Sequence, residues 1–296
     1  MSTPTHSTDH LQNEIDNPSM HTLPETNYRR ADLTRLEIDT NIMSPARRKP
    51  IPSLRMRMAA EGCGTFLFIF IALATVNQTA LNALLGKYEV SQFIIALGFA
   101  IGLSVGVHIS GPISGGHLNP AISFSMTLFE SLPWMDCILY ILAQMIGAFF
   151  ASLLVFCIYY NTIRLFPYDQ VTAGFFGTLK ASQTSIGLGF LEQVIGTGLL
   201  MFGILMVVRE NPKKPNVFLI GGILGSLALF LGNNGFAFNM ARDLGPRMMS
   251  AIFWGADVFS YENHWWWVPI VGSFVGAPLG HLAFNLFELH LTLTSS

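Results

Sequence analysis

Charge is what this chain has least of. Charged residues make up 11% of its 296 positions, against roughly 25% in an average soluble domain. The shortage is uneven. The first 57 residues hold eight of the 16 Lys+Arg and seven of the 18 Asp+Glu, which leaves 19 charges for the other 239 positions. With 51% hydrophobic residues, that balance implies an integral membrane protein apart from its N-terminus. No basic groove interleaved with aromatics is present, so no nucleic-acid partner is expected. Cysteine is scarce as well. Cys63, Cys137 and Cys157 all sit in apolar segments, where small buried hydrophobes are expected. No Cys/His spacing fits a metal site, and no cofactor is expected. Residues 1–57 are not expected to be a signal peptide, because no apolar stretch of about 7–15 residues follows a basic start. Residues 1–57 are instead polar and carry Pro4, Pro18, Pro24, Pro45, Pro50 and Pro52, the composition of a disordered tail.

What is present is apolar length. A bilayer core of about 30 Å takes about 20 helical residues, and six stretches qualify, near 58–80, 91–111, 136–160, 186–208, 216–232 and 266–287. Two more, from Asn119 to about Phe129 and from Asn239 to about Ile252, are too short to cross. Segments of that length are re-entrant, and such backbone survives in a bilayer only when it is buried in protein or lines a cavity. Lys and Arg set the orientation. Arg47, Arg48, Lys49, Arg55 and Arg57 precede the first span, and Arg209, Lys213 and Lys214 follow the fourth. Both clusters are cytoplasmic if the N-terminus is inside, which also puts residues 288–296 there as a short tail.

The chain repeats itself. Asn119-Pro120-Ala121 and Asn239-Met240-Ala241 share one frame, and each follows a Gly-rich stretch. Glu61 with Gly64-Thr65 matches Glu192 with Gly196-Thr197, allowing one extra residue in the second copy. Gln144 to Ala148 matches Pro269 to Ser273. Three spans and a half-helix thus occur twice, over 58–160 and 186–287. An odd number of spans per repeat inverts one half against the other, so the half-helices enter from opposite faces and meet near the midplane. The fold class expected is an all-α membrane protein of six spans and two half-helices in an inverted repeat.

Asn119 and Asn239 stand where helix N-caps belong. Their side-chain oxygens would accept backbone N–H groups, leaving the NH2 groups free to donate into a lumen. Pro120 suits the first helical position, which needs no N–H. Met240 has no such preorganisation and marks where the lumen is expected to differ. A plain Asn-Pro turn would explain one copy; two copies in matched positions favour the capped half-helices.

Two longer motifs complete the pattern: Ser114-Gly115-Gly116-His117-Leu118-Asn119-Pro120-Ala121, and Gly235-Phe236-Ala237-Phe238-Asn239-Met240-Ala241-Arg242-Asp243-Leu244-Gly245-Pro246-Arg247. Through them the chain resembles the major intrinsic protein family, the aquaporins and aquaglyceroporins, over about residues 58–287. The resemblance implies a tetramer with one pore per subunit. It places Arg242 at the selectivity filter; the plainer role is a salt bridge to Asp243. Asp243 itself implies the glycerol-conducting branch. Phe236, three residues before Asn239, and Phe99, 20 before Asn119, fall at filter positions, although ordinary core or lipid-facing roles would also suit them. Counting back along the fifth span gives Leu227 as the fourth filter residue, where the water-selective branch usually has a histidine. The resemblance gives Glu61 and Glu192 a structural role, accepting N–H groups of the re-entrant loops, with a proton relay as the alternative. His117 is expected to hydrogen-bond within its loop, and His108 to line the cytoplasmic half of the pore.

The expected function is therefore passive passage of water and small uncharged polyols such as glycerol, with protons and ions excluded; no enzyme is implied. The alternatives are a water-dominated channel, a secondary transporter, which the deep spans barely supply with coupling residues, and a non-conducting scaffold. The lipid bilayer is the main partner. Arg47-Arg48-Lys49 before Ser53, and Ser44-Pro45, resemble kinase sites, or the basic residues hold anionic lipid. His264-Trp265-Trp266-Trp267 is expected to anchor the outer leaflet, and Asn77-Gln78-Thr79 forms a glycosylation sequon. A long cytoplasmic tail suggests a eukaryotic plasma membrane.

Overall fold

The computed structural model describes residues 52–232 and 234–295; the expectations for residues 1–51, among them the Ser44-Pro45 and Arg47-Arg48-Lys49 kinase motifs, lie outside the described residues. Eight helices carry the fold: α1 Leu54–Leu84, α2 Gln92–Ser114, α3 Pro120–Phe129, α4 Trp134–Ile163, α5 Ile186–Glu210, α6 Val217–Phe230, α7 Met240–Trp254 and α8 Trp267–Thr294. Most begin on a residue whose side-chain oxygen accepts a first-turn N–H: Ser53, Ser91, Asn119, Ser185, Asn216 and Asn239. Gly115, left-handed at φ 98°, ends α2 and turns the chain into the first re-entrant loop.

Five helices are long and apolar enough to cross a membrane by length and composition. The remaining expected span is α6, which is shorter. It has 14 residues, about 21 Å of helix. Pro215 and the Asn216 cap delay its start, and the Gln92 amide of α2 takes the Ala228 carbonyl in its last turn (3.1 Å). Two other boundaries move outward. α1 begins at Leu54, so 54–57 are helix rather than tail, and α8 runs to Thr294, so most of 288–296 is helix as well.

The halves pack by one pattern. α1 lies against α2 and α4, and α5 against α6 and α8, while α4 meets α7 and α8 meets α3. The register comes from close approaches. A Cβ at Gly147 would fall 2.3 Å from the Gly62 carbonyl oxygen, and one at Gly276 would fall 2.3 Å from that of Val194. These paired contacts equate Gly62 with Val194, and therefore Glu61 with Gln193. The expected matches of Glu61 to Glu192 and Gly147 to Gly272 are thus displaced, by one residue and by one helical turn.

Three smaller expectations change. Cys137 is buried, but Cys63 and Cys157 are exposed on the helical surface. Trp265 does not face outward: it is fully buried, with its indole N–H donated to the Thr178 hydroxyl (3.2 Å), and the exposed tryptophan of the run is Trp267. Asn77 is fully buried and donates its amide to the Leu73 and Phe175 carbonyls, so the sequon is closed to a glycan.

Candidate functional site

The two half-helices meet through their caps. The Asn119 side-chain oxygen accepts the Ala121 N–H (3.0 Å), and that of Asn239 accepts the N–H groups of Ala241 (2.8 Å) and Arg242 (3.3 Å). The amides then cross over. Asn119 donates to the Phe238 carbonyl and Asn239 to the Leu118 carbonyl, both at 2.8 Å. One N–H of each amide therefore joins the halves, and only the other remains for the lumen, not the whole NH2 group as expected. Leu118 and Phe238, which present those carbonyls, hold left-handed φ values of 50° and 49°. A conformation so costly for L-residues persists where surrounding contacts determine it. Here the Leu118 side chain seats against Gly64, where a Cβ would lie 2.7 Å from it, and Phe238 seats against Gly196, where a Cβ would lie 2.2 Å away.

Both asparagines line a cavity of about 710 Å³. Its walls are mainly apolar, with Phe68, Leu103, Leu200 and Leu224 among them, and His108, His117, Lys213 and Lys214 also line it. Pro120 and Ala121 are buried beside it. Met240 is half-buried, and among the described residues the wall runs through Ala237 and Asn239 without it.

Phe99 belongs to this cavity wall and meets Phe236 edge to face, with ring centroids 4.8 Å apart. The Arg242 guanidinium lies 4.9 Å from the Phe99 ring centre and 5.9 Å from that of Phe236, within cation–π range. It donates through Nη1 to the Phe176 carbonyl (3.0 Å), and its buried Nε has no hydrogen-bond partner among the described residues. The structure thus brings Arg242, Phe99 and Phe236 together. Leu227 is half-buried and packs against the same core cluster, but the α6 residues lining the cavity are Val217, Phe218, Ile220 and Leu224.

Asp243 is not the partner of Arg242. Its carboxylate pairs with Arg247 one turn later (2.8 Å) and accepts the Thr178 N–H (2.7 Å) and hydroxyl. Arg247, 2% exposed, also donates to the carbonyls of Thr178 (2.6 Å) and Val258 (2.8 Å). Sequence reasoning missed Arg247, Thr178 and Phe176. The i, i+4 spacing of Asp243 and Arg247 was a usable signal, but the two loop residues have none.

Glu61 is fully buried and accepts four hydrogen bonds, from the Ser114 hydroxyl (2.6 Å), the His117 N–H (3.0 Å), the Leu118 N–H (2.8 Å) and the Gln144 amide (2.8 Å). His117 contacts Ser123 through its ring (3.1 Å). In the second half the equivalent position is neutral: the Gln193 amide oxygen accepts the Phe238 N–H (3.1 Å). Glu192, one residue earlier and only partly buried, accepts the N–H (3.3 Å) and side-chain amide of Asn234 instead.

Two inverted sets of membrane helices, joined at capped half-helices beside a lumen, define a polytopic membrane channel. The family model for "Major intrinsic protein" matches residues 50–284. Human aquaporin-10 is 34% identical over 246 residues, covering 79% of this chain and 81% of its own. Aquaglyceroporin-2 of Rhizophagus irregularis is 36% identical over 231 residues, covering 73% and 72%. The X-ray structure of the aquaglyceroporin from Plasmodium falciparum superposes with a TM-score of 0.71 at 28% identity, over 79% of this chain and 96% of that one. The chain belongs to the major intrinsic protein family, and it is a channel rather than an enzyme.

Proposed function

We propose that this channel passes water and small uncharged polyols such as glycerol down their gradients and excludes protons and other ions. The observation that carries this reading is the grouping of Arg242 with the perpendicular rings of Phe236 and of Phe99, which lines the cavity. The Nη2 of Arg242, which donates to no protein group among the described residues, offers a hydroxyl its donor, while the rings offer an apolar surface to the carbon chain. Relatives named aquaglyceroporins support the same solute class. Ion exclusion follows from electrostatics. Two half-helices present their N-terminal ends at Asn119 and Asn239, and such positive dipole ends beside a fixed guanidinium disfavour cations and protons.

A water-dominated channel is the second reading, favoured by the guanidinium lying directly over the Phe99 ring. Stopped-flow light scattering of proteoliposomes decides between them. The polyol reading expects glycerol permeability well above that of empty vesicles and a loss of discrimination in Arg242→Val. Glycerol flux equal to that of empty vesicles defeats it. Uptake driven by an ion gradient would instead indicate a transporter, and flux identical in wild type and Asn239→Ala a scaffold.

We further propose a homotetramer in a eukaryotic plasma membrane with both termini cytoplasmic. Arg55, Arg57, Arg209, Lys213 and Lys214 on the α1 N-terminal face support that orientation. A kinase acting on the chain would find Ser53 exposed at the α1 N-cap.

A further inference from the structure

We propose that Glu262, in the turn before α8, is a positioning residue for the filter arginine. It latches the outer connection between α4 and α5, whose Phe176 carbonyl holds Arg242. This inference rests on the filter reading above.

The turn is conformationally expensive. Glu262, Asn263 and His264 hold φ values of 52°, 59° and 64° in succession, although L-residues visit this region singly and at a cost. Such a run persists only where contacts hold it. The His264 N–H to the Ser260 carbonyl (3.1 Å) is one, and the Glu262 carboxylate supplies those that reach across to another segment. One oxygen accepts the Gln170 amide, and the other stands 3.5 Å from the Lys180 ammonium. Lys180 is only 7% exposed; its other contact is the neighbouring Ala181 carbonyl (2.9 Å), and among the described residues Glu262 is its only carboxylate partner.

Gln170 and Lys180 bracket the segment that builds the outer wall of the site. Within it the Phe176 carbonyl accepts Arg242 Nη1, and the Thr178 N–H and hydroxyl go to Asp243. One carboxylate therefore grips both ends of the stretch whose middle presents the filter's acceptor. Arg242 has no other side-chain hydrogen bond among the described residues. A displaced Phe176 would release the guanidinium over the Phe99 ring and change which solutes pass.

The test compares the full chain with Glu262→Gln, Glu262→Lys and the swap Glu262→Lys/Lys180→Glu in proteoliposomes. The readout is the ratio of glycerol to water permeability on the same vesicles. That ratio is independent of how many channels fold, so lost protein alone leaves it unchanged. Glu262→Lys is expected to move it by about threefold or more, and the swap to bring it back toward wild type. An unchanged ratio, or a shift the swap leaves in place, overturns the latch. If Glu262→Lys does not reach the membrane, Glu262→Gln decides by the same criterion. Should wild type carry no glycerol, the proposed solute class fails while the latch is still tested. Amide hydrogen exchange across 171–179 then rises in Glu262→Gln if the latch is real, and an unchanged profile overturns it.

Discussion

At the residue scale, Asn119 and Asn239 each combine a helix cap with a bond to the opposite half. The capping role was legible from Asn-x-Ala and its flanks. The crossed amide bonds were not, because their acceptors lie 119 and 121 residues away in sequence. Met240 tests the cap most directly. Its backbone N–H sits at the first helical position, where the Asn239 oxygen serves Ala241 and Arg242 instead. A proline there removes no hydrogen bond. Met240→Pro should therefore fold and conduct, with stability within about 1 kcal/mol of wild type by thermal unfolding. Complete loss of assembly would show that the methionine side chain is required. Arg247 is the opposite case. Replacing it with Met leaves the Asp243 carboxylate buried without its cation, which costs about 3–5 kcal/mol. The thermal midpoint of Arg247→Met in detergent should drop sharply, and Asp243→Asn/Arg247→Met should recover part of the loss. A single variant as stable as wild type would refute the pairing.

At the element scale, hydropathy located the long helices and both half-helices because burial in lipid demands length and apolarity together. It overestimated α6. The apolar run extends through Leu231, which is the C-cap, and the Ala228 carbonyl in the last turn is taken by a partner side chain, Gln92; composition does not encode partners. The repeat was visible as words and misread in register. Glu192 was the nearest acid to the Glu61 position, whereas the packing of Gly147 and Gly276 assigns that position to Gln193. The halves are consequently unequal. Glu61 accepts four hydrogen bonds at the first loop, while Gln193 accepts one at the second and leaves its own amide nitrogen without a partner among the described residues. Glu61→Gln would turn an NH2 toward groups that are themselves donors, Leu118 N–H or the Gln144 amide. The expected cost is about 3 kcal/mol, read as a lower thermal midpoint. Gln193→Leu removes a single bond and should cost less. Equal losses would contradict the asymmetry.

At the scale of the whole molecule, the channel unit is closed by its own contacts from Ser53 onward. Ser53 caps α1 through the Met56 N–H (3.4 Å), and Arg57 is bonded to Asp136 at the start of α4 (2.6 Å). The far ends of α5 and α8 are tied in the same way, by Arg209 and Glu288. These ties predict how truncation behaves. A chain beginning at Pro52 keeps the cap and both ion pairs, so it should unfold at the same temperature as the full chain. A chain beginning at Met56 loses the Ser53 cap, worth about 1 kcal/mol, but keeps the Arg57 pair, so it should fold with a slightly lower midpoint. Flux separates regulation from folding in the same pair. If residues 1–51 restrain the channel, the Pro52 chain carries more water per channel than the full chain, with the ratio of glycerol to water permeability unchanged, because the groups proposed to set that ratio lie between Phe99 and Glu262. A ratio that moved on removal of the tail would place part of the selectivity outside the helical unit and count against the filter assigned to Arg242, Phe99 and Phe236.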